Sequence, residues 1–132
     1  MRPSGNIKPP EVGPEGIVIA EQIEECIKRL DNGIAVLNNT ANERAIAIAY
    51  YDRDLGITLA KLRNGVKMCI ENEPIQDPPV STTEKLAKGI VWESRLRLEQ
   101  AEASYKVAVS NADSLRAKLN GLQSIFRRLE SM

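Results

Sequence analysis

No histidine occurs among the 132 residues. Its absence removes the side chain most often used as a general base and as a metal ligand. It also rules out the Glu-x-x-His motif of di-iron bundles. Cysteine appears only as Cys26 and Cys69, too few and too far apart for a zinc site. Aromatics are scarce: Trp92, Phe126 and three tyrosines. A thin core of Leu, Ile and Ala is therefore expected in place of one filled with rings. No apolar run approaches the ~18 residues of a membrane span. The opening "MRPSGNIKPPEVGPEG" is polar and lacks the apolar stretch of a secretory signal. The expectation is a cytoplasmic chain with reduced thiols and no membrane partner.

Catalytic motifs are missing as well. There is no nucleophile elbow, no phosphate-binding G-x-x-x-x-G-K-[ST] and no G-x-G-x-x-G. Asp52 and Asp54 lie two residues apart, a spacing that does not put them on one helix face. The sequence therefore predicts no enzyme, no catalytic or metal-binding residues and no cofactor.

Charge is balanced overall, with 18 basic and 18 acidic groups. No net field gathers nucleic acid or anionic lipid. The distribution is uneven, however. Residues 1–84 hold 9 basic and 13 acidic groups, and residues 85–132 hold 9 and 5, so the parts carry −4 and +4. Mutual attraction of the two parts within the fold is the simpler reading; a basic binding face is the alternative.

What is present is periodicity. Residues 1–16 contain four of the seven prolines and three glycines, which reads as a flexible arm. A helix is predicted over 17–64. Along it Ala20, Ile23, Ile27, Leu30, Ile34, Leu37, Ala41, Arg44, Ile48, Tyr51, Leu55, Thr58 and Leu62 follow alternating steps of three and four. That is the ~3.5-residue repeat of a helix with a continuous seam. Gly33 is a weak point in it, and Asn64-Gly65 offers a stop. Residues 65–81 carry Pro74, Pro78 and Pro79, which exclude a continuous helix and predict a long loop. Ser81 and Glu84 form a capping-box pattern that opens a second helix, 82–130. Its seam runs Val91, Ser94, Leu98, Ala101, Tyr105, Ala108, Ala112, Leu115, Leu119, Leu122, Phe126 and Leu129.

Two seamed helices joined by a Pro-rich loop predict an all-α fold. Its form is a long antiparallel helical hairpin of coiled-coil type over 17–132, as one domain. With the loop centred near residue 73, facing positions sum to about 146 when both helices rise 1.5 Å per residue. Arg44 then meets Glu102, and Tyr51 approaches Arg95. Asp52 or Asp54 approaches the stretch from Trp92 to Arg97. Glu21, Glu24 and Glu25 come near Arg127 and Arg128, which also suits both helix dipoles. Off-seam apolar residues (Val18, Ile46, Leu59, Leu86, Ile90, Leu96, Val107, Val109, Ile125) suggest a second face and pairing into a four-helix bundle or larger oligomer, a dimer being favoured.

Two candidate sites emerge. Tyr50, Tyr51, Arg53, Trp92, Arg95 and Arg97 concentrate rings and cations, which could hold a nucleotide base and phosphate or simply form a belt that fixes register. Arg95, Arg97, Lys106, Arg116 and Lys118 are the nucleic-acid candidates, although they scatter by helical phase and no block of five like charges occurs.

Two stretches of the second helix, Ala101-Glu102-Ala103-Ser104-Tyr105-Lys106 and Leu119-Asn120-Gly121-Leu122-Gln123-Ser124, carry a family likeness. With "AIAYYDRDLGITLAKLRNG" of the first helix, they resemble small, uncharacterised helical proteins of tailed bacteriophages and prophages. The resemblance covers about 80 residues by the spacing of these motifs. It implies a phage accessory protein active in the host cytoplasm, whose genes often neighbour replication and recombination functions, and it supplies no catalytic residues. The Pro-rich loop with Met68-Cys69-Ile70 departs from the family pattern. The leading expectation is a homo-oligomer that binds a protein partner as a structural, adaptor or inhibitor element. A DNA-binding accessory role in recombination or replication is the alternative. Sequestration of a small nucleotide signal comes third.

Overall fold

A computed structural model describes residues 13–131. In chain order the elements are α1 (Pro14–Arg63), β1 (Met68–Ile70), β2 (Glu73–Ile75), α2 (Val80–Ile90) and α3 (Trp92–Glu130). The chain is all-α in class, with one small β-hairpin among the described residues.

The helix α1 starts three residues earlier than its apolar pattern. Pro14 lies in the first turn, where its missing N–H would have had no partner anyway. The first turn closes through the Ile17 N–H to the Gly13 carbonyl at 3.1 Å. Most of the arm expected over 1–16 lies outside the described residues; its last three residues are helical. At the other end Gly65 has a φ of 75°. Its N–H reaches the Leu62 carbonyl at 3.2 Å, and the Val66 N–H reaches the Lys61 carbonyl at 2.9 Å. This is a Schellman closure, with glycine in the left-handed position.

Beyond it the sequence predicted only loop, and the structure differs. β1 and β2 pair antiparallel, with Met68 opposite Ile75, Cys69 opposite Pro74 and Ile70 opposite Glu73. Glu71 and Asn72 form the two-residue turn with φ values of 46° and 68°. Both are left-handed, as a type I′ turn requires. Pro74 fits because the pair it forms with Cys69 is the one that exchanges no N–H···O bonds.

The capping box expected at Ser81 and Glu84 does not form. The helix α2 begins at Val80 with Pro79 as its cap residue, and no side chain caps it. The Pro79 carbonyl accepts the Thr82 N–H at 2.9 Å and the Thr82 and Thr83 hydroxyls at 3.0 and 3.1 Å. Ser81 is already inside the first turn, so its hydroxyl is not placed to cap. The second helix is also not single: Val91 (φ −93°, ψ 26°) separates α2 from α3, although the N–H bonds of Val91 and Arg95 carry the ladder across.

Two compact units divide the described chain. The first comprises residues 37–108. Its core is Tyr51, Val91 and Leu98, with Ala47, Ile48, Leu55 and Ile90 packed around them. Thr58, Leu62, Thr83 and Ala87 are also buried. The hairpin docks on α2, where a Cβ on Gly89 would meet the Ile70 Cδ1 at 3.1 Å. Glycine is what permits that approach. The second unit comprises 13–36 with 109–131. It buries Cys26, Ala112 and Leu122, and the Cys26 thiol donates to the Leu115 carbonyl at 3.4 Å. Both cysteines are free thiols; Cys69 is exposed on β1.

All ten positions from Leu98 to Leu129 of the α3 seam (Leu98, Ala101, Tyr105, Ala108, Ala112, Leu115, Leu119, Leu122, Phe126, Leu129) are buried or half-buried. The α1 seam is different. Ala20, Ile23, Leu30, Leu37, Arg44, Ile48, Tyr51, Leu55, Thr58 and Leu62 are covered. Cys26, Gly33 and Thr40 take the alternate places expected for Ile27, Ile34 and Ala41. Ile27 and Ile34 remain 42% and 37% exposed. Small residues in those places let α1 approach its neighbour closely.

Gly33→Ala is expected to raise stability. The added Cβ would sit 3.7 Å from the Leu115 Cδ1, ordinary contact. The helix-interior gain is up to about 1 kcal/mol. Ala108→Leu should lower stability by about 1–3 kcal/mol, because the site is 5% exposed and has no room. Denaturant titrations followed by circular dichroism check both; a neutral Ala108→Leu would contradict the seam.

Candidate functional site

The polar–aromatic candidate lies wholly in the unit of residues 37–108. Three arginines there share one arrangement, each over a tyrosine ring and beside a carboxylate. The Arg44 guanidinium carbon is 5.5 Å from the Tyr105 ring centre, and its Nη2 is 3.7 Å from Glu102. Arg95 lies 5.5 Å from the Tyr51 ring and 2.6 Å from Glu99. Arg53 lies 4.8 Å from the Tyr50 ring and 3.1 Å from Asp54. Stacking and pairing hold each guanidinium from two sides.

Two of these arginines make contacts that cross between α1 and α3, and the sequence places two of those contacts, Arg44 with Glu102 and Tyr51 with Arg95. Arg44 meets Tyr105 as well. Asp54 also crosses, accepting a hydrogen bond from the Ser94 hydroxyl. The Ser94 hydroxyl and Arg53 beside it hold the Asp54 carboxyl below its ordinary value, against a smaller opposing effect of burial. Hydrogen bonding to Tyr51, then the Glu99 charge, pushes the Arg95 pKa up.

The six candidates do not converge on one pocket. Tyr50 and Arg53 form one pair and Tyr51 and Arg95 another, while Trp92 stands 48% exposed with no ring or cation against it among the described contacts. Arg97 contributes only its charge near Asp54. A shallow groove of about 380 Å³ beside Asp54 is lined by Ile57, Thr58, Ile90, Val91, Glu93 and Ser94, a mixed and partly acidic wall. Such a lining suits no phosphate. Ser94 and Glu99 were not singled out as site residues. The i, i+4 spacing from Arg95 to Glu99 is the signal that could have found the second.

The nucleic-acid candidates divide between the two units: Arg95, Arg97 and Lys106 in one, Arg116 and Lys118 in the other. Arg95 is paired with Glu99, and Arg116 with Asp113 at 3.0 Å. Lys118 shares a groove with Glu21 and Glu25. The pairing expected between Glu21, Glu24 or Glu25 and Arg127 or Arg128 is absent among the described residues. Glu25 binds Arg29 at 3.2 Å, and Arg127 turns back to the Gln123 carbonyl at 3.4 Å. Partners one turn away on the same helix are simply nearer. Among the described residues no cluster of three potential metal ligands occurs, and no helix is long and apolar enough to cross a membrane.

The lowered Asp54 pKa has a defined consequence. A carboxylate more acidic in the folded state stabilises above its unfolded pKa, and that contribution fades as pH falls through the folded value. Asp54→Asn should therefore be less stable than the parent at neutral pH, and the gap should close as pH drops below the ordinary value of 3.8. Urea midpoints across that range check it; a gap constant with pH would remove the Asp54 charge from the account.

Compared with known proteins, the chain matches no protein-family model, no curated protein and no solved structure.

Proposed function

We propose that this protein is a non-enzymatic helical interaction protein that self-associates by coiled-coil packing and binds a protein partner as a structural, adaptor or inhibitor element. The observation that carries the reading is apolar surface left uncovered on regularly spaced helix faces. Ile46, Tyr50 and Ile57 follow one side of α1 at steps of four and seven, each close to half exposed. Trp92, Leu96 and Val107, at steps of four and eleven, follow one side of α3 and are likewise about half exposed. Rows of this kind, unlike scattered exposed residues, mark surfaces that another helix covers. A pair of helices also offers only one seam for burial, and four helices offer more. The likeness to phage and prophage proteins supports a phage accessory role.

The non-enzymatic reading draws on the chemistry of the belt. Its carboxylates Asp54, Glu99 and Glu102 each bind a neighbouring arginine, and Asp54 also binds Ser94. Groups so held fix helix register and are poorly disposed to transfer protons.

The DNA-binding alternative ranks second. Lys106 and Lys118 are unpaired among the described residues, but Arg95 and Arg116 already hold carboxylates. A labelled duplex or single strand at low salt is expected to show no shift with the protein; a salt-sensitive shift would favour that alternative.

Light scattering after size exclusion tests the main reading. The expected mass is about twice the 14.6 kDa of one chain or more. A folded monomer at high concentration would refute self-association.

A further inference from the structure

In the unit of residues 13–36 and 109–131, Ile23, Gln123, Phe126 and Arg127 surround a shallow groove on one face. Ile27 follows Ile23 by four residues and Ile34 follows Ile27 by seven, so both extend this face along α1. Arg116 precedes Gln123 by seven, two helical turns, and extends it along α3. A different groove, lined by Glu21, Glu25, Arg29 and Lys118, marks another side of the unit.

Charge on the first face is divided by helix. Next to Ile23 and Ile27 on the outer edge of α1 lie Glu24 and Asp31, seven residues apart. The α3 edge carries Arg116 and Arg127. Among the described residues neither Glu24 nor Asp31 has a cation within 4.0 Å, and Arg116 is engaged only within its own helix. Each chain thus presents an apolar row with Glu24 and Asp31 along one border and, along the other, Arg127 and Arg116, the latter shared with Asp113 of its own helix at 3.0 Å.

Resting on the self-association reading above, we propose that a second copy of this chain covers this face with its own same face. The two-fold axis runs parallel to the helices, so that α1 of each copy lies against α3 of the other. Contacts within the unit set the levels: Cys26 and Gly33 both reach Leu115, and Ile23 shares its groove with Gln123 and Phe126. Asp31 is therefore level with Arg116, and Glu24 lies within about a turn of Arg127. An axis along the helices preserves those levels and sets Asp31 opposite the partner's Arg116 and Glu24 near the partner's Arg127. An axis across the helices would place α1 on α1 and bring acids against acids, which is repulsive. The pairing is self-complementary, as a two-fold interface must be. It also buries Ile27 and Ile34, two of the three expected α1 seam residues that one chain leaves exposed.

Charge reversal tests the assignment. Asp31→Arg and Arg116→Asp are each made, and helicity is checked by circular dichroism. Each reversal turns two symmetric attractions into repulsions and should weaken the dimer about tenfold in sedimentation equilibrium. In an equimolar mixture of the two variants every cross-copy contact again joins opposite charges, so affinity should return to within about threefold of the parent. Recovery on mixing cannot arise from a contact inside one chain. Ile34→Asp should abolish the dimer while leaving the helices formed. A dimer insensitive to all three changes would overturn the proposed face and leave self-association standing. A monomeric parent would overturn both.

Discussion

Close approach of α1 to α3 through small side chains is the constraint on which the packing depends. In the unit of residues 13–36 and 109–131 the contact is made by Cys26 and Gly33 against Leu115, with Ala112 fully buried. In the unit of residues 37–108 Ala47 packs beside Tyr51, and Ala108 is buried. Short side chains bring backbones together and increase dispersion contact, but they bury little area each. The larger residues of the same repeat are turned to the flank. The stripe that joins the helices and the stripe left over are thus two results of one choice of residue size.

The belt of arginines solves a second problem. A seam of Ala and Leu is permissive about sliding, since one small residue fits much like another. Arg44 with Glu102 and Tyr105, Arg95 with Tyr51 and Glu99, and Asp54 with Ser94 add directional contacts at defined levels. Each is exposed enough to contribute little stability on its own. Their value is in register: a shift by one turn would break the cross-helix contacts together.

How much of this was legible in the sequence follows from the range of the interactions. The α3 seam could be read because every member from Leu98 to Leu129 is apolar and only one stripe fits. The cross-helix partners of Arg44 and Tyr51 followed from the loop centre, since antiparallel geometry is arithmetic once the turn is located, but the same arithmetic did not reveal that Glu25 and Arg127 find partners on their own helices. The α1 seam was readable throughout except at Ile27, Ile34 and Ala41. Ile27 looks more like a core residue than Cys26 does, and hydrophobicity alone cannot report that the neighbouring helix needs a small residue. The hairpin escaped because three-residue strands carry too little alternation, and Pro74 argued against a strand. Ser81 and Glu84 match a capping pattern, but the Pro79 carbonyl was already the better anchor for the first turn. The candidate site was legible as a concentration of residues and not as a pocket, since which ring each arginine covers is decided by rotamers.

The turn at Glu71 and Asn72 has a consequence for how the chain folds. It closes a loop of only two residues, and the hairpin it makes packs on α2 through Ile70 and Gly89. Contacts of small sequence separation lose the least chain entropy on forming. The bond between Asp54 and Ser94 spans 40 residues, whereas that between Cys26 and Leu115 spans 89. Closing the contact between Cys26 and Leu115 therefore costs more chain entropy than closing that between Asp54 and Ser94, and both cost more than closing the turn.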